Sequence, residues 1–349
     1  IERDGAGGDT DGQGTLIIDN LSTKATATTP LTGTLTFATF TPKRGATITA
    51  DIVTVNSSVT LDANSKLTLN SFTLGSSANL TVNSTSTLIV DTLTVAGNLS
   101  LTTTGVLKHN ATTASAFKKL TVAVTGSTTI DATSSISLDS LGYTINKTAD
   151  TAAAGAPTAT GAASSSYKAG SHGGTGGSDN GVNPGVTYDS LTAPLYAGGG
   201  AGSGSAVGGG YLRLTTAGFA HSGTISANGA ANGDNGPGSG AGGGIWITTT
   251  GALSGSGTIR ATGGAKPTWT VNGAGGGGRV AFYYDGTVGS NSTAISSLVF
   301  EAGGGANTAT GATVSGSDHG GAGTVYIERD GAGGDTDGQG TLIIDNLST

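Results

Sequence analysis

Leu67-Thr68-Leu69-Asn70-Ser71-Phe72-Thr73-Leu74 and Leu88-Ile89-Val90-Asp91-Thr92-Leu93-Thr94-Val95 are one phrase written twice, Leu88 answering Leu67 and Val95 answering Leu74. An apolar residue takes every second position, and the alternation slips by one at Asn70 and again at Asp91. Period-2 alternation turns one set of side chains inward and the Thr and Ser set outward. A slip at an acid or amide is what a bend between two faces requires, because Asn and Asp tolerate left-handed backbone and bond their own main chain. Ile48, Ala50, Asp51, Val53 and Val55 form an earlier copy, in which Ile48 corresponds to Leu67. Ile136, Leu138, Asp139, Leu141 and Tyr143 form a fourth, separated from the third by an insertion around Lys108 to Lys119. Leu16, Ile18, Asp19 and Leu21 begin a further copy. Near-identical strands without helical spacing or Asn-Gly hairpins predict an all-β chain coiled as a parallel β-solenoid, or β-helix.

A second, longer periodicity encloses the first. The segment from Ile1 to Thr23 returns letter for letter as Ile327 to Thr349, which predicts a tandem repeat with a period of 326, the offset from Ile1 to Ile327. Four zones follow: 1–23 continues the solenoid at the end of one block, 24–150 holds Thr/Ser-rich coils, 151–326 holds glycine-rich coils with long loops, and 327–349 starts the next block. Residues 24–150 contain seven glycines and residues 151–349 contain 52. In the second zone Gly208 to Gly210, Gly242 to Gly244, Gly275 to Gly278 and Gly323 each lead straight into an apolar strand. Second strands follow at Gly223 to Gly229, at Gly257 to Gly263 and at Leu298 to Gly303. The coil keeps its strands and lengthens one loop. Glycine suits such loops through positive φ and close backbone approach, so they are expected to be ordered against the wall. A block of roughly a dozen coils would be on the order of 60 Å long.

Composition narrows the function. With 11% charged and 5% aromatic residues and 64 glycines, the core must be thin and aliphatic. A net charge of −7 without any Lys/Arg run longer than a pair disfavours nucleic acid and anionic membrane surfaces. The absence of cysteine removes disulfides and thiolate metal sites. No apolar run reaches the roughly 18 to 20 residues that span a bilayer.

Gly170-Ser171-His172-Gly173-Gly174-Thr175-Gly176-Gly177, Tyr188-Asp189-Ser190-Leu191-Thr192-Ala193-Pro194 and Gly208-Gly209-Gly210-Tyr211-Leu212-Arg213-Leu214 carry a resemblance. So do Gly276-Gly277-Gly278-Arg279-Val280-Ala281-Phe282-Tyr283-Tyr284 and Gly323-Thr324-Val325-Tyr326-Ile327, leading to Leu342-Ile343-Ile344-Asp345-Asn346. Residues 140–346 resemble the glycine-rich repeat modules of giant bacterial surface and extracellular β-helix proteins of adhesin or fibre type. The resemblance implies a β-helix without assigned chemistry. The Thr-rich first zone resembles only a generic solenoid.

Candidate chemistry is sparse. Asp4, Asp9 and Asp11, repeated as Asp330, Asp335 and Asp337, form the concentrated carboxylate cluster, and Asp-x-Asp-Gly supplies the hard oxygens that calcium takes. The full EF-hand pattern fails, and a plain Asx/Gly turn explains the same residues. His109, His172, His221 and His319 lie too far apart to place two on one strand face. A polysaccharide-cleaving site would need ionisable residues converging in a cleft, whereas Asp51, Asp91 and Asp139 stand at corners, so no enzyme is expected. Trp246, Trp269, Tyr283 and Tyr284 could stack on sugars, although Trp246, between inward Ile245 and Ile247, is expected beneath a neighbouring glycine loop. Outward Thr at 102–104 and 248–250 lacks the strict stacking of an ice-binding face. Asn-x-Ser/Thr triplets at Asn20, Asn56, Asn79, Asn83, Asn98, Asn110, Asn146 and Asn291 would suit a glycosylated exterior. The expectation is a structural segment of an extracellular or cell-surface filament, stalk or sheath, self-associating with identical repeats or neighbouring chains. The alternatives are an adhesin stalk whose tip lies elsewhere and a carbohydrate-binding β-helix that contacts surface glycans.

Overall fold

Branched and bulky residues at alternate positions favour extended backbone, because they pack well on a pleated surface. The computed structural model describes residues 14–20, 27–113, 116–144, 169–177, 185–201, 206–231, 238–266, 273–306, 319–330 and 340–344. They are built of strands, with one short helix at Asn291–Ala294. The chain is all-β, its strands joined in a curled sheet of 21 strands and a separate pair, Thr15–Asp19 with Thr39–Lys43. Every described pairing is parallel except that of Thr324–Asp330 with Thr341–Ile343.

The register resolves into three ladders. In the first, Thr29, Ile48, Leu67, Leu88, Leu107, Ile136, Ile225, Ile259 and Phe300 lie one above another. In the second the column runs Leu35, Val53, Phe72, Leu93, Val122, Leu214, Ile247, Phe282 and Ile327. In the third it runs Val59, Leu80, Leu99, Thr128, Phe219 and Leu253. These columns form one continuous core, in which Leu67, Leu88, Phe72 and Leu93 are fully buried. Each such side chain contributes roughly 1.5–3 kcal/mol through burial. Both long ladders are nine strands deep, where a dozen coils were expected.

Three copies of the repeated phrase sit in register as expected. The fourth holds only in its first half: Ile136 continues the first ladder, but Leu141 and Tyr143 do not enter the second, whose next strand is Tyr211–His221. Tyr143 instead packs with Ala197 and Tyr211 in a satellite cluster. Thr15–Asp19 is likewise not a copy of the phrase, since it lies beside Thr39–Lys43. The insertion falls where the alternation broke, between Val106–Lys108 and Leu120–Ile130.

The corner acids and amides act through hydrogen bonds rather than left-handed angles. Asn70 donates to Asp51 (3.2 Å), Asn110 donates to Asp91 from its amide (2.9 Å) and backbone (3.0 Å), and Lys118 Nζ bridges Asp91 (2.8 Å). Positive φ occurs elsewhere, in the pairs Ala63–Asn64, Ser84–Thr85 and Thr103–Thr104, each spanned by an i to i+3 bond. Consecutive left-handed residues define the tightest turns. β-Branched Thr adopts them at a cost that inter-turn bonds offset, such as Thr103 N to Asp131 (2.6 Å) and Thr104 N to Thr133 (3.0 Å).

The glycine tracts lie between the first and second ladders, where the lengthened loop was expected. They stack backbone on backbone: Gly209 N bonds Ala241 O (2.8 Å), Gly242 N bonds Gly276 O (2.9 Å) and Gly277 N bonds Gly321 O (2.9 Å). Positive φ is not their purpose, because Gly33, Gly45 and Gly255 alone show it among the described glycines. Close approach is. A Cβ on Gly208 would collide with Gly198 O, and one on Gly277 with Ala302 O, each far inside van der Waals contact.

Candidate functional site

Buried polar groups concentrate where the glycine layer meets the second ladder, and the loop 185–201 closes over that place. The ladder contributes Tyr211, Gly244, Arg279 and Thr324 in one row. A Cβ on Gly244 would collide with Tyr196 O and press on the Tyr211 ring. His172 stands there fully buried, its Nε2 3.1 Å from Asp189 Oδ2 and its Nδ1 2.9 Å from Gly242 O. Both ring nitrogens face oxygen atoms, so the ring is fixed at its two ends.

Asp189 is the hub. Its carboxylate accepts N–H bonds from Ser190 (2.8 Å), Leu195 (2.9 Å) and Tyr196 (3.0 Å), and its φ of 74° bends the loop back on itself. Arg279 Nε donates to Tyr188 O (2.8 Å) and Nη1 to Thr324 Oγ1 (3.1 Å). Tyr188 OH donates to Ala197 O (2.5 Å), and Tyr283 OH to Thr192 O (2.8 Å). Ser171 Oγ donates to Gly185 O (2.7 Å) and accepts from Gly176 N (2.8 Å).

Desolvation sets the electrostatics. Burial pushes the Tyr188 phenol well above its usual range, with Tyr143 and Asp189 adding to the effect. Burial also lowers Arg279, against the pull of Asp189 and Tyr188. Tyr283 is pushed up to about 12, first by burial and then by Glu328 and Tyr326. These groups are buried and bond one another and the main chain. The arrangement fastens a loop to a wall.

The structure disperses the other histidines. His109 donates from Nδ1 to Asn110 O (2.6 Å) and accepts from Tyr211 N at Nε2 (3.3 Å), and burial lowers its pKa. His221 stacks on Phe219 and faces Thr258 O at 3.2 Å. His319 is half-buried. Of the acid cluster, Asp330 alone lies among the described residues, buried at the end of Thr324–Asp330; Asp4, Asp9, Asp11, Asp335 and Asp337 lie outside them. No group of three or more His, Asp or Glu is placed to hold a metal among the described residues.

Among the described residues, Trp246, Tyr283 and Tyr284 do not form an exposed platform. Trp246 packs with Ala281, Tyr283 and Tyr326 on the outer side, with Arg213 4.4 Å above its ring, while Tyr284 belongs to the main core. Trp269 lies outside the described residues. Five of the Asn-x-Ser/Thr side chains bond internally: Asn291 to Leu253, Gly251 and Asp285, Asn110 to Asp91 and Leu69, and Asn20 to Gly45, while Asn79 accepts from Asn98 N and Asn98 from Ser127 N. An open groove of about 580 Å³ beside Thr15–Asp19 is lined by Asp19, Phe40, Lys43, Arg44, Thr60 and Asp62, and Arg44 pairs with Asp19.

The sequence spreads His172, Tyr188, Asp189, Arg279 and Thr324 over four separate motifs and gives none of them a partner. The signal that joins them is charge scarcity, since an Asp and an Arg amid glycine have few partners but each other's loops. Among the described residues no helix is long and apolar enough to cross a membrane. No family model matches the chain, and neither the curated proteins nor the solved structures contain a match.

Proposed function

We propose that this chain is a structural repeat segment of a giant extracellular or cell-surface protein, a β-solenoid block that builds a stiff filament, stalk or sheath. One observation carries the reading: parallel ladders, the first of which ends in Val299–Glu301 with one side unpaired among the described residues, in a chain whose segment 1–23 returns as 327–349. Each turn satisfies its backbone through the turns above and below it, so stability accumulates by nearest-neighbour stacking. Nine turns at strand spacing give a rise of about 43 Å per period. The described site supports scaffolding over turnover, because its ionisable groups are internally bonded and covered. Val186 (61% exposed), Leu191 (38%) and Leu195 (48%) stand on the outer side of the clasped loop and supply an apolar surface for lateral association.

Small-angle scattering and electron microscopy on a chain extended by one further period test the reading. The long axis is expected to grow by about 43 Å at constant width. Two compact bodies hinged at the junction would overturn it.

A further inference from the structure

The repeated segment, 1–23 and again 327–349, contains one strand that the structure shows in two different pairings. As Thr15–Asp19 it runs parallel to Thr39–Lys43, in the register Leu16 with Phe40 and Ile18 with Pro42. Thr39–Lys43 in turn packs on Val59–Leu61, the first strand of the third ladder. As Thr341–Ile343 the same sequence runs antiparallel to Thr324–Asp330, with Val325 opposite Ile343 and Ile327 opposite Thr341. It thus occupies the outer edge of the second ladder, on the side away from Arg279–Asp285.

The two states differ in burial. Leu16 and Ile18 are half-buried and packed against the core, whereas their counterparts Leu342 and Ile344 are 44% and 65% exposed. At these two positions the antiparallel state leaves apolar surface in water that the parallel state covers, while the isoleucine between them is exposed in both, Ile17 at 52% and Ile343 at 40%. Ladder phase says what belongs on the occupied edge. The second-ladder column begins at Leu35 and ends at Ile327, one strand short of the counterpart of Leu35 in the next period. The first begins at Thr29 and ends at Phe300, which is half-buried against the core. In a following block the counterparts of Thr34–Phe37 and Thr28–Pro30 continue both columns in step. The first of these needs the edge that Thr341–Ile343 covers.

We infer that the segment at 341–343 is an exchangeable strand: it lies antiparallel on the second ladder while that edge carries no further strand, and yields the edge to the next block's counterpart of Thr34–Phe37 when that block is present. It then moves to the third side and pairs in parallel with the counterpart of Thr39–Lys43. This rests on the repeat-array reading. It adds to it a mechanism that protects an open edge, which would otherwise template pairing with foreign strands. It also makes joining of blocks an exchange of one strand for another.

The chain contains no cysteine, so introduced pairs report pairing without background. Tyr326→Cys with Leu342→Cys marks the antiparallel state, in which those residues face each other. Ile343→Cys with Thr41→Cys of the following block marks the parallel state, by analogy with Ile17 and Thr41. In the present chain the first pair is expected to cross-link nearly completely. In a chain extended by one period it is expected to fall at least tenfold at the junction while the second pair forms. Persistence of the first pair there, or failure of the second in an elongated molecule, overturns the exchange and leaves the array reading intact. An extended chain that does not elongate overturns the array reading itself. Hydrogen exchange on unsubstituted chains guards against a variant that does not fold. Peptides covering Thr34–Phe37 are expected to exchange fast in the present chain and to split into fast and slow populations in the extended one. A single fast population overturns the proposal.

Discussion

The Thr/Ser-rich half and the glycine-rich half share the same ladders but close them by opposite means. Between Thr28 and Ile136 side chains bond to the adjacent turn across 19 to 29 positions of sequence, the corners are tight, and the interior is filled by aliphatic columns. From Tyr211 onward that offset is 32 to 45, and the surplus becomes a second layer of glycine backbone with almost no side chains of its own. The first half is held by side-chain volume. The second adds cohesion that depends on having no side chain, locked by a few buried charged groups. Energy in the first half is spread over many equivalent leucines, whereas in the second it is concentrated in His172, Asp189 and Arg279.

Removing the concentrated element should produce the largest effect. Asp189→Ala leaves His172 and the N–H groups of Leu195 and Tyr196 without their acceptor in a dry site, at a cost of roughly 3–5 kcal/mol. Limited proteolysis should then cut within 185–201 while the first half stays protected. Leu88→Ala, costing about 2–5 kcal/mol as a cavity in a stacked column, should loosen turns on either side of it. Equal protease resistance of 185–201 in Asp189→Ala and the parent chain would refute the hub.

Acid tests both halves, because each holds a buried histidine, His109 in the first and His221 in the second. Burial lowers His221 from its ordinary 6.5 to about 4, and His109 shifts in the same direction. The unfolded chain then binds protons that the folded chain refuses, so stability is complete above about pH 6.5 and declines as pH falls toward 4. His221 alone accounts for at most ~3 kcal/mol of that loss. Denaturant titrations between pH 7 and 4 should show the slope, and His221→Leu should flatten it. A slope unchanged by that substitution would exclude His221 as its source. Asp131, held at about 2 because hydrogen bonds from Thr103, Ser134 and Thr133 outweigh its desolvation, acts only below that window.

The columns of the first half were legible from alternation alone, because each small turn repeats the same inward choice at Ile48, Leu67 and Leu88. Leu141 and Tyr143 defeated the same rule. Their alternation is real, but no described residue between Leu138 and Tyr211 joins a ladder strand, and local pattern carries no information about such an interruption. Glycine's place in the loops was legible, yet its reason was not: the absence of room for a Cβ at Gly208 or Gly242 depends on backbone that is close in space and distant in sequence. The clasp was invisible for a similar cause. His172 and Asp189 are separated by 17 positions, Tyr188 and Arg279 by 91, and only the ladder register brings them together.

Smaller effects probe the glycine layer. Gly208→Ala and Gly242→Ala drive a methyl group into the backbone oxygens of Gly198 and Ala261, where no real Cβ fits. Each should cost about 1–3 kcal/mol or more by overpacking. Gly289→Ala, with nothing within 4 Å, should stay within about 0.5 kcal/mol of the parent. Thermal unfolding that ranks all three alike would mean the layer is loose enough to absorb a methyl, and the idea that missing side chains hold it together would fail.

The smallest expected effect lies on the corner of the first half, where a charge does appear. Lys118 Nζ is 2.8 Å from Asp91 and 3.4 Å from Asn70, with 29% of the lysine side chain exposed. Solvent screens such a pair, so Lys118→Ala should cost only about 0.2–1 kcal/mol, and raising salt should shrink the difference. Asn110→Ala should cost more although it removes no charge. Its amide donates to both Asp91 and Leu69 O, and so spans two turns of the stack. If Lys118→Ala proved the more damaging, the first half too would depend on isolated charged contacts, and the division between spread and concentrated stabilisation would not stand.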